Sequence, residues 1–379
     1  MSGHEPRFRS ALGEVLLERR PATADANLLA WDAADALLLE QFAATAASGL
    51  DRVLVLNDSF GALAVSLNEW EPTSWTDSAI SERATADNLA GNGVAGSVTS
   101  LPYTSSPGAG FDAVIWRLPR SNDLLRHQAA MLRSVIDPHT RVWAGGMDKH
   151  LPPRSREVLE QLGPVTTLPG RKKAHVFTLR LDVRLPVPPE PAPPRFAAPE
   201  FGLELRGGPN VFSSDRLDLG TRLLADQLIQ LPTASRIADL GCGSGVLGIV
   251  AQRHQPEASV HFFDESYQAI ATARDNYAAN CPDGAAAFSV DDGLSGYDGE
   301  HFDVIVCNPP FHQHHVVGDE IAWQMFQHSR AHLRVGGELW VVGNRHLGYH
   351  AKLARLFGGT RTLGSNPKFV ALVATRKPR

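Results

Sequence analysis

The segment from Arg236 to Gly248 constrains the fold of this chain most strongly. It reads Arg-Ile-Ala-Asp-Leu-Gly-Cys-Gly-Ser-Gly-Val-Leu-Gly, an apolar run that passes into alternating glycines and then into a helix start. Glycine tolerates positive φ and lets a ligand approach the backbone closely, so the pattern predicts a buried strand, a tight ligand-binding turn and a helix. This unit is typical of a doubly wound α/β sheet, whose ligands bind at the carboxyl ends of parallel strands. Nucleotide dehydrogenases carry similar turns, and the glycines alone do not identify the ligand.

A second apolar run, Val304–Cys307, ends abruptly in Asn308-Pro309-Pro310-Phe311. β-Branched residues without polar alternation predict a buried strand, and the double proline prevents further pairing in the sheet. The turn that follows faces the same crevice, where an Asn amide, a Pro carbonyl and an aromatic ring could hold a planar amine. A plain strand-ending turn explains the same residues, and this corner by itself leaves both interpretations open.

At 379 residues the chain is long enough for two domains, because single hydrophobic cores rarely grow that large. Strand and helix patterns alternate on both sides of a proline-rich stretch, Pro186–Pro194, which favours polyproline II and predicts a semi-rigid spacer. We therefore expect an α/β domain in residues 1–184, a linker in residues 185–199 and a second α/β domain in residues 200–379.

The two halves carry matching landmarks in the same order, which indicates a duplicated domain. The matched pairs, with their offsets in residues, are Gly61 and Gly245 (184), Asp77 and Asp264 (187), and Asp112 and Asp303 (191). Changes in loop length produce such a slow drift of the offset.

The halves differ where chemistry is predicted. In place of the first two alternating glycines, the first half has Asn57 and Ser59, so the tight turn is expected to be lost there. In place of Asn-Pro-Pro-Phe it reads Arg117-Leu118-Pro119-Arg120. We expect that only the second half is catalytic, and that the two arginines of the first half offer charge to a phosphate backbone.

Composition narrows the partners. A net charge of −5 and an isoelectric point near 6.3 argue against broad adhesion to nucleic acid, although a local basic face stays open. No apolar run could span a bilayer, and the first residues lack a signal-peptide pattern, so we expect a cytoplasmic protein. The three cysteines are scattered, and the histidines at positions 312, 314 and 315 have no cysteine or carboxylate at metal-ligand spacing. We expect no disulfide and no metal site.

Taken together, the glycine turn, the acids after the next two strands and the Asn-Pro-Pro-Phe corner resemble class I S-adenosylmethionine methyltransferases that act on amino groups. The resemblance implies that Asp239 and the turn at Gly241, Gly243 and Gly245 lie under the methionine part of the cofactor. It further implies that Asp264 accepts the ribose hydroxyls, that Asp292 rather than Asp291 accepts the adenine amine, and that Asn308 also borders the cofactor.

Over its full length the chain resembles the bacterial ribosomal RNA guanine-N2 methyltransferases, which have a degenerate N-terminal methyltransferase-like half. The resemblance is carried by Asn210-Val211-Phe212-Ser213, Leu217-Asp218-Leu219-Gly220-Thr221, Asn308-Pro309-Pro310-Phe311-His312-Gln313 and Ile321-Ala322-Trp323. The segments Asn344-Arg345-His346-Leu347 and Asn366-Pro367-Lys368-Phe369-Val370 favour the large-subunit, 23S rRNA branch. The resemblance implies a monomer that needs no metal and acts on protein-free or partly assembled large-subunit RNA. The predicted substrate contacts are Arg117, Arg120, Phe212 and His312.

The mechanism implied by the resemblance uses the corner itself. Asn308 Oδ1 and the Pro309 carbonyl accept the two hydrogens of the guanine amine, Pro310 completes the turn, and Phe311 stacks on the base. Positioning then supplies much of the rate, and the target base has to be unstacked to enter. The alternatives are a 16S rRNA guanine, an adenine N6, a release-factor glutamine whose methyltransferase carries the same corner, and a non-enzymatic RNA-binding assembly factor. The intact glycine turn disfavours the last of these.

Overall fold

The computed structural model describes residues 6–23, 25, 27–45, 49–310 and 315–378, with side chains described for all of these except 315–318. The chain divides into two compact units, Met1–Ala192 and Pro193–Arg379. The boundary falls inside the linker predicted at residues 185–199. Part of that linker, Arg195–Ala198, forms a strand instead of a spacer.

The first unit contains a seven-stranded sheet in the order β5-β4-β3-β6-β7-β9-β8, and a separate β1–β2 hairpin. Its strands are β1 (Arg7–Ser10), β2 (Gly13–Leu16), β3 (Val53–Leu56), β4 (Thr73–Thr76), β5 (Thr99–Pro102), β6 (Ala113–Arg117), β7 (Arg141–Met147), β8 (Val165–Thr167) and β9 (Ala174–Leu179). Its α-helices among the described residues are α1 (Ala33–Thr45), α2 (Ala62–Ser66), α3 (Ala79–Gly91), α4 (Asn122–Leu132) and α5 (Ser155–Leu159).

The second unit repeats this plan, with a hairpin β10–β11 and a sheet in the order β14-β13-β12-β15-β16-β18-β17. Its strands are β10 (Arg195–Ala198), β11 (Leu203–Arg206), β12 (Arg236–Leu240), β13 (Ser259–Asp264), β14 (Ala285–Val290), β15 (Phe302–Cys307), β16 (Leu333–Asn344), β17 (Arg361–Ser365) and β18 (Phe369–Thr375). Its α-helices, within the described ranges, are α6 (Leu219–Ala225), α7 (Val246–His254), α8 (Tyr267–Asn280), α9 (His315–His332) and α10 (Tyr349–Phe357).

In both sheets the first five strands of the order are parallel and the last two pairings are antiparallel. Helices cover both faces, so the central strands are apolar throughout and do not alternate with polar residues. In β12, for example, Ile237 packs into one core and Leu240 into the core on the opposite face. The predicted fold class, two tandem Rossmann-like methyltransferase domains, is confirmed.

Identical hydrogen bonds support the duplication. In the first unit, Asn88 of α3 accepts a bond from the Glu18 amide through Oδ1 (2.9 Å) and donates to the Glu18 carbonyl through Nδ2 (3.0 Å). In the second unit, Asn276 of α8 makes the same pair of bonds to Arg206 (2.8 and 2.9 Å). Each asparagine thereby clamps its unit's hairpin onto the helix that follows the second parallel strand.

The structure confirms one predicted landmark pair and corrects another. Asp112 accepts the amides of Asp51 and Arg52, directly before β3, and Asp303 accepts those of Ser235 and Arg236, where β12 begins. By contrast, β4 ends at Thr76 just as β13 ends at Asp264, because Trp75 pairs with Leu56 as Phe263 pairs with Leu240. The match of Asp77 with Asp264 is therefore wrong by one residue, because Thr76 occupies the position of Asp264 and Asp77 follows it.

Candidate active site

The sheet order brings the predicted site residues of the second unit to one edge. Strand β12 lies between β13 and β15, and all three run parallel. Their carboxyl ends therefore meet, and they carry the glycine turn, Asp264 and Asn308 respectively. Parallel strands of an open sheet present their ligand-binding crevice at this edge.

The glycine turn has the conformation that the sequence predicts. Gly241, Gly243 and Gly245 have φ values of 72°, 53° and 84°, a region in which only glycine is free of strain. A Cβ added to Gly243 would have no heavy atom within 4 Å, so the space above the middle of the turn is open. Gly245 is the N-cap residue of α7, at the end of the helix where its first backbone amides are free of partners within the helix.

Asp264 is tied to this turn from the neighbouring strand. Its Oδ2 accepts a hydrogen bond from the Gly243 amide (2.9 Å) and its Oδ1 accepts one from the Ser266 amide (3.0 Å). Burial raises the pKa of Asp264, and these amide bonds oppose that rise. The amides of Ser266, Gly243 and Glu265 together use three of the four lone pairs of the carboxylate, so the side chain can still accept a hydroxyl group of a ligand.

Asp239 is almost fully buried at the end of β12. Its Oδ2 accepts the Gly248 amide (2.8 Å), while its buried Oδ1 receives no hydrogen bond from any described residue. Burial raises the pKa of Asp239 to about 7. A buried carboxylate oxygen without a donor is costly unless a ligand supplies one, and a cationic ammonium group is the partner it favours.

The two acids after β14 have different partners. Asp291 accepts the Asp292 and Gly296 amides (both 2.8 Å) and so closes the turn. Asp292 Oδ1 accepts a bond from Gln324 Nε2 on α9 (3.2 Å), a contact that sequence spacing did not indicate. This arrangement agrees with the preference for Asp292 over Asp291 as the adenine contact, which stays a prediction.

The Asn308 side chain is held in one orientation. Its Nδ2 donates to Thr221 Oγ1 on α6 (2.8 Å), and its buried Oδ1 receives no bond from a described residue. Pro309 is buried and Pro310 is exposed. Phe311 and His312 lie outside the described residues, so their predicted roles are carried by the sequence alone.

Two further polar side chains lie at this edge and were not predicted. Thr221 is buried in the first turn of α6, within a segment that the family resemblance had already marked. Asn344, at the end of β16, is buried and its Oδ1 also receives no bond from the described part of the chain. Of the predicted substrate contacts in this unit, Phe212 is exposed, with 51% of its surface accessible.

In the first unit, ion pairs between side chains occupy the corresponding corner. Arg117, at the end of β6, has a side chain only 18% exposed, and its guanidinium pairs with Asp32 (2.9 Å) and Asp35 (3.2 Å) at the start of α1. Arg117 therefore pairs its charge within its own unit, and its contact with RNA stays a prediction. Arg120 is exposed, with Nη2 3.1 Å from His150 Nε2, and stays a candidate.

Asn57 occupies the position of Gly241 and crosses the crevice of the first unit. Its φ of 59° matches the glycine conformation, but its Nδ2 donates to the Arg117 carbonyl (2.6 Å) and its Oδ1 accepts from Tyr103 (2.9 Å). Side chains of the protein thus span the gap between the ends of β3 and β6. The first unit therefore keeps positive φ at both ends of the turn, at Asn57 and Gly61, and side chains occupy the space that the turn leaves open in the second unit.

Two kinds of feature, a metal-binding cluster and a membrane-spanning helix, are absent from the described residues. No group of three or more His, Cys, Asp or Glu side chains in the described ranges could hold a metal ion. No helix in the same ranges is both long and apolar enough to cross a membrane.

Two family models match the chain, the RLMG N-terminal domain over residues 5–183 and the Methyltransferase small domain over residues 202–373. Proteins named ribosomal RNA large subunit methyltransferase G are 43% identical over 374 residues in Ectopseudomonas mendocina (strain ymp) and 44% identical over 374 residues in Pseudomonas entomophila (strain L48). Each match covers 98% of this chain and 100% of the relative. This chain belongs to that family.

A solved structure shares the two-unit fold. The 16S rRNA N2 G1207 methyltransferase (RsmC) of T. Thermophilus, in complex with AdoMet and guanosine, matches with a TM-score of 0.79 at 22% sequence identity. The match covers 98% of this chain and 97% of that one. Family membership confirms the predicted family and enzyme class, a methyltransferase. It decides against a release-factor glutamine methyltransferase and a non-enzymatic assembly factor.

Proposed function

We propose that this chain transfers the methyl group of S-adenosylmethionine to the exocyclic N2 of a guanine in 23S ribosomal RNA. The family name supports ribosomal RNA of the large subunit as the substrate. The one observation that carries the chemistry is the buried, unpaired Asn308 Oδ1 at the carboxyl edge of the sheet, which is an acceptor awaiting a donor. The exocyclic amine of a guanine substrate can provide this donor.

The residues of the second unit fit the cofactor. The unpaired Asp239 Oδ1 suits the ammonium group of the cofactor, and the open space above Gly243 lets the cofactor approach the backbone. The remaining lone pair of Asp264 suits a ribose hydroxyl. Asp292, held by Gln324, is proposed to accept the adenine amine. When bound, S-adenosylmethionine supplies an electrophilic methyl group on a sulfonium.

The Asn308 corner prepares the amine for attack. The lone pair of a guanine amine is delocalised into the ring, which makes the amine a weak nucleophile. Asn308 Oδ1 and the Pro309 carbonyl would accept its two hydrogens and so fix its plane and direction. Positioning of this kind can supply about 7–11 kcal/mol of a barrier when the reacting atoms are well aligned. Asparagine cannot take up a proton here, so the amine proton leaves to solvent after the new bond has formed.

Two exposed cations at the same edge support an RNA partner. Arg345 follows β16 and Lys368 precedes β18, and the Arg345 amide donates to the Lys368 carbonyl (3.0 Å). Neither forms an ion pair with a described carboxylate, whereas Arg236 and Arg334 near the opposite edge pair with Glu300 and Asp303. Unpaired positive charge beside the corner favours a phosphate backbone, despite the net charge of −5.

The proposal includes the state in which the enzyme works. The described site residues all come from the second unit of one chain, which is compatible with a monomer. A base paired inside a helix cannot reach a corner of this kind, so protein-free or partly assembled RNA is the expected substrate. The exposed Arg120 is proposed to help the first unit bind the RNA. An enzyme with this substrate would act in the cytoplasm.

The test is direct methylation. Purified protein is incubated with labelled S-adenosylmethionine and with 23S rRNA, 16S rRNA or assembled large subunits, and the RNA is digested and analysed for modified nucleosides by mass spectrometry. We expect N2-methylguanosine at one site of protein-free 23S rRNA, and a large reduction in its rate of formation by Asn308→Ala. N6-methyladenosine, or methylation of 16S rRNA alone, would overturn the proposal.

A further inference from the structure

The orientation of the Asn308 amide is set by a residue 87 positions away in the sequence. An asparagine amide presents either its oxygen or its NH₂ group to a ligand, and only the oxygen can accept an amine hydrogen. In this structure the NH₂ group faces Thr221 Oγ1, which leaves Oδ1 for the ligand. With Nδ2 bonded to Thr221, the amide oxygen is the end that an amine hydrogen can reach.

Thr221 is itself fixed before it meets Asn308. Asp218 caps α6, and its Oδ2 accepts both the Gly220 amide (2.9 Å) and the Thr221 amide (3.0 Å). Thr221 is only 9% exposed, and a β-branched side chain has few χ1 rotamers available in a helix. The hydroxyl thus has a defined position in the first turn of the helix.

The duplicated unit makes the same contact with different chemistry. Asp32 stands at the start of α1 as Asp218 stands at the start of α6, and Asp35 follows three residues later as Thr221 does. Arg117, at the end of β6, pairs with Asp35 (3.2 Å) as Asn308 pairs with Thr221. Both partners differ between the units, yet the contact between them is present in each. The strand-end residue and the helix residue therefore behave as a pair.

We propose that Thr221 is a positioning residue for methyl transfer, which orients the Asn308 amide so that Oδ1 faces the amine. This inference rests on the proposed function. Thr221 acts through Asn308 and touches neither the cofactor nor the base in this role. Loss of its hydroxyl frees the amide to rotate, and the fraction of molecules that present the oxygen to the substrate falls.

The test compares Thr221→Val, which keeps the shape and removes the hydroxyl, with Thr221→Ser, which keeps the hydroxyl. We expect Thr221→Val to lower kcat for RNA methylation about 10–100-fold, while the Kd of S-adenosylmethionine and the KM for RNA change less than about 2-fold. Thr221→Ser is expected to retain activity within about 3-fold, since a single positioned hydrogen bond is restored. The thermal midpoint of each variant is measured alongside.

A double variant separates positioning from packing. If Thr221 acts through Asn308, then Thr221→Val adds no further loss of kcat to Asn308→Ala, because interacting residues are non-additive. Multiplied losses in the double variant, or a Thr221→Val enzyme with wild-type kcat, would overturn the inference. An inactive Thr221→Ser enzyme with an unchanged thermal midpoint would overturn it too. Wild-type protein that forms no N2-methylguanosine sinks the proposed function instead, so the two failures are distinguishable.

Discussion

The ends of β6 and β15 occupy the same place in the two sheets, but they are completed in opposite ways. In the first unit an arginine forms ion pairs with two aspartates, and these side chains fill the corner. In the second unit an amide is held on one side by Thr221 and left open on the other. The scaffold bonds, by contrast, are the same in both units. The comparison teaches that one fold becomes either a structural element or a site through a few residues at its strand ends.

The largest expected effect comes from substituting the two strand-end residues, Asn308 and Arg117. Asn308→Ala should lower kcat/KM by about 10²–10³-fold, as loss of a single preorganised contact does elsewhere, with little change in stability. Arg117→Ala should leave the buried Asp35 carboxylate without its partner, at a cost of about 3 kcal/mol in the free energy of unfolding, since Asp32 is 36% exposed and stays hydrated. Methylation rates and urea unfolding measure the two. Equal destabilisation by both substitutions would remove the contrast between site and structure.

The glycine turn offers an exchange of residues between units. Gly243→Ser imports the residue found at position 59, and a side chain at a φ of 53° costs about 1–2 kcal/mol of strain. Its Cβ also enters the open space proposed for the cofactor, so S-adenosylmethionine affinity should fall at least about 10-fold by calorimetry. The reverse change, Ser59→Gly, should create no binding in the first unit, because the Asn57 side chain still crosses its crevice. Cofactor binding by a first unit with Ser59→Gly would contradict this account.

Exposed cations in the two units can be compared by their contribution to RNA affinity. Lys368→Gln removes an exposed cation beside the proposed corner, and Arg120→Gln removes an exposed cation in the first unit. Each phosphate contact to single-stranded RNA contributes a slope of about 0.7 in the dependence of log affinity on log salt. We expect Lys368→Gln to reduce that slope by about this amount, with Arg361→Gln, on the exposed β17, as a control that changes nothing. An unchanged slope in Lys368→Gln would place the RNA elsewhere.

The smallest effect concerns two buried acids, Asp58 in the turn after β3 and Asp239 near the end of β12. Both carboxylate oxygens of Asp58 accept hydrogen bonds from backbone amides, those of Gly61, Leu63 and Ala64. Asp239 has one oxygen without a partner among the described residues. Burial raises the pKa of Asp239 from 3.8 to about 7, so the ligand-free fold binds an extra proton between these values and loses stability as pH rises through them.

Asp239→Asn should therefore raise the thermal midpoint at pH 8 by a few degrees, and the gain should vanish toward pH 4. Asp58→Asn should lower the midpoint, because an NH₂ group would face backbone donors. In the wild type, cofactor affinity should rise from pH 6 to pH 8 as Asp239 ionises and can pair with a cation. Thermal scans and calorimetry across pH measure both trends, and a pH-independent affinity would argue against an ionic role for Asp239.

Local patterns were sufficient to predict much of this molecule. The buried strands, the positive-φ turn and the strand-ending corner follow from the glycines, the apolar runs and the double proline. The matching of Asp112 with Asp303 predicted the duplication, because both residues brace the same backbone position. The strands, the turn and the corner depend on residues close together in the sequence.

What could not be predicted depends on contacts made across the fold. Arg117 resembles a surface arginine in the sequence, and only its approach to Asp32, 85 residues away, shows that its charge is already used. Thr221 reaches Asn308 across 87 residues, and no spacing rule connects them. The one-residue error at Asp77 arose because acids near a strand end look alike until the register of the sheet is known.

The asparagine clamps bear on how the chain is made. Asn88 joins its hairpin to its helix across 70 residues, and Asn276 does so across the same distance in the second unit. Each closure uses only residues of its own unit, so neither needs the other half of the polypeptide to be present. Domains fold as units during synthesis, N-terminal first, and the first unit can therefore complete its structure while the catalytic half is still being translated.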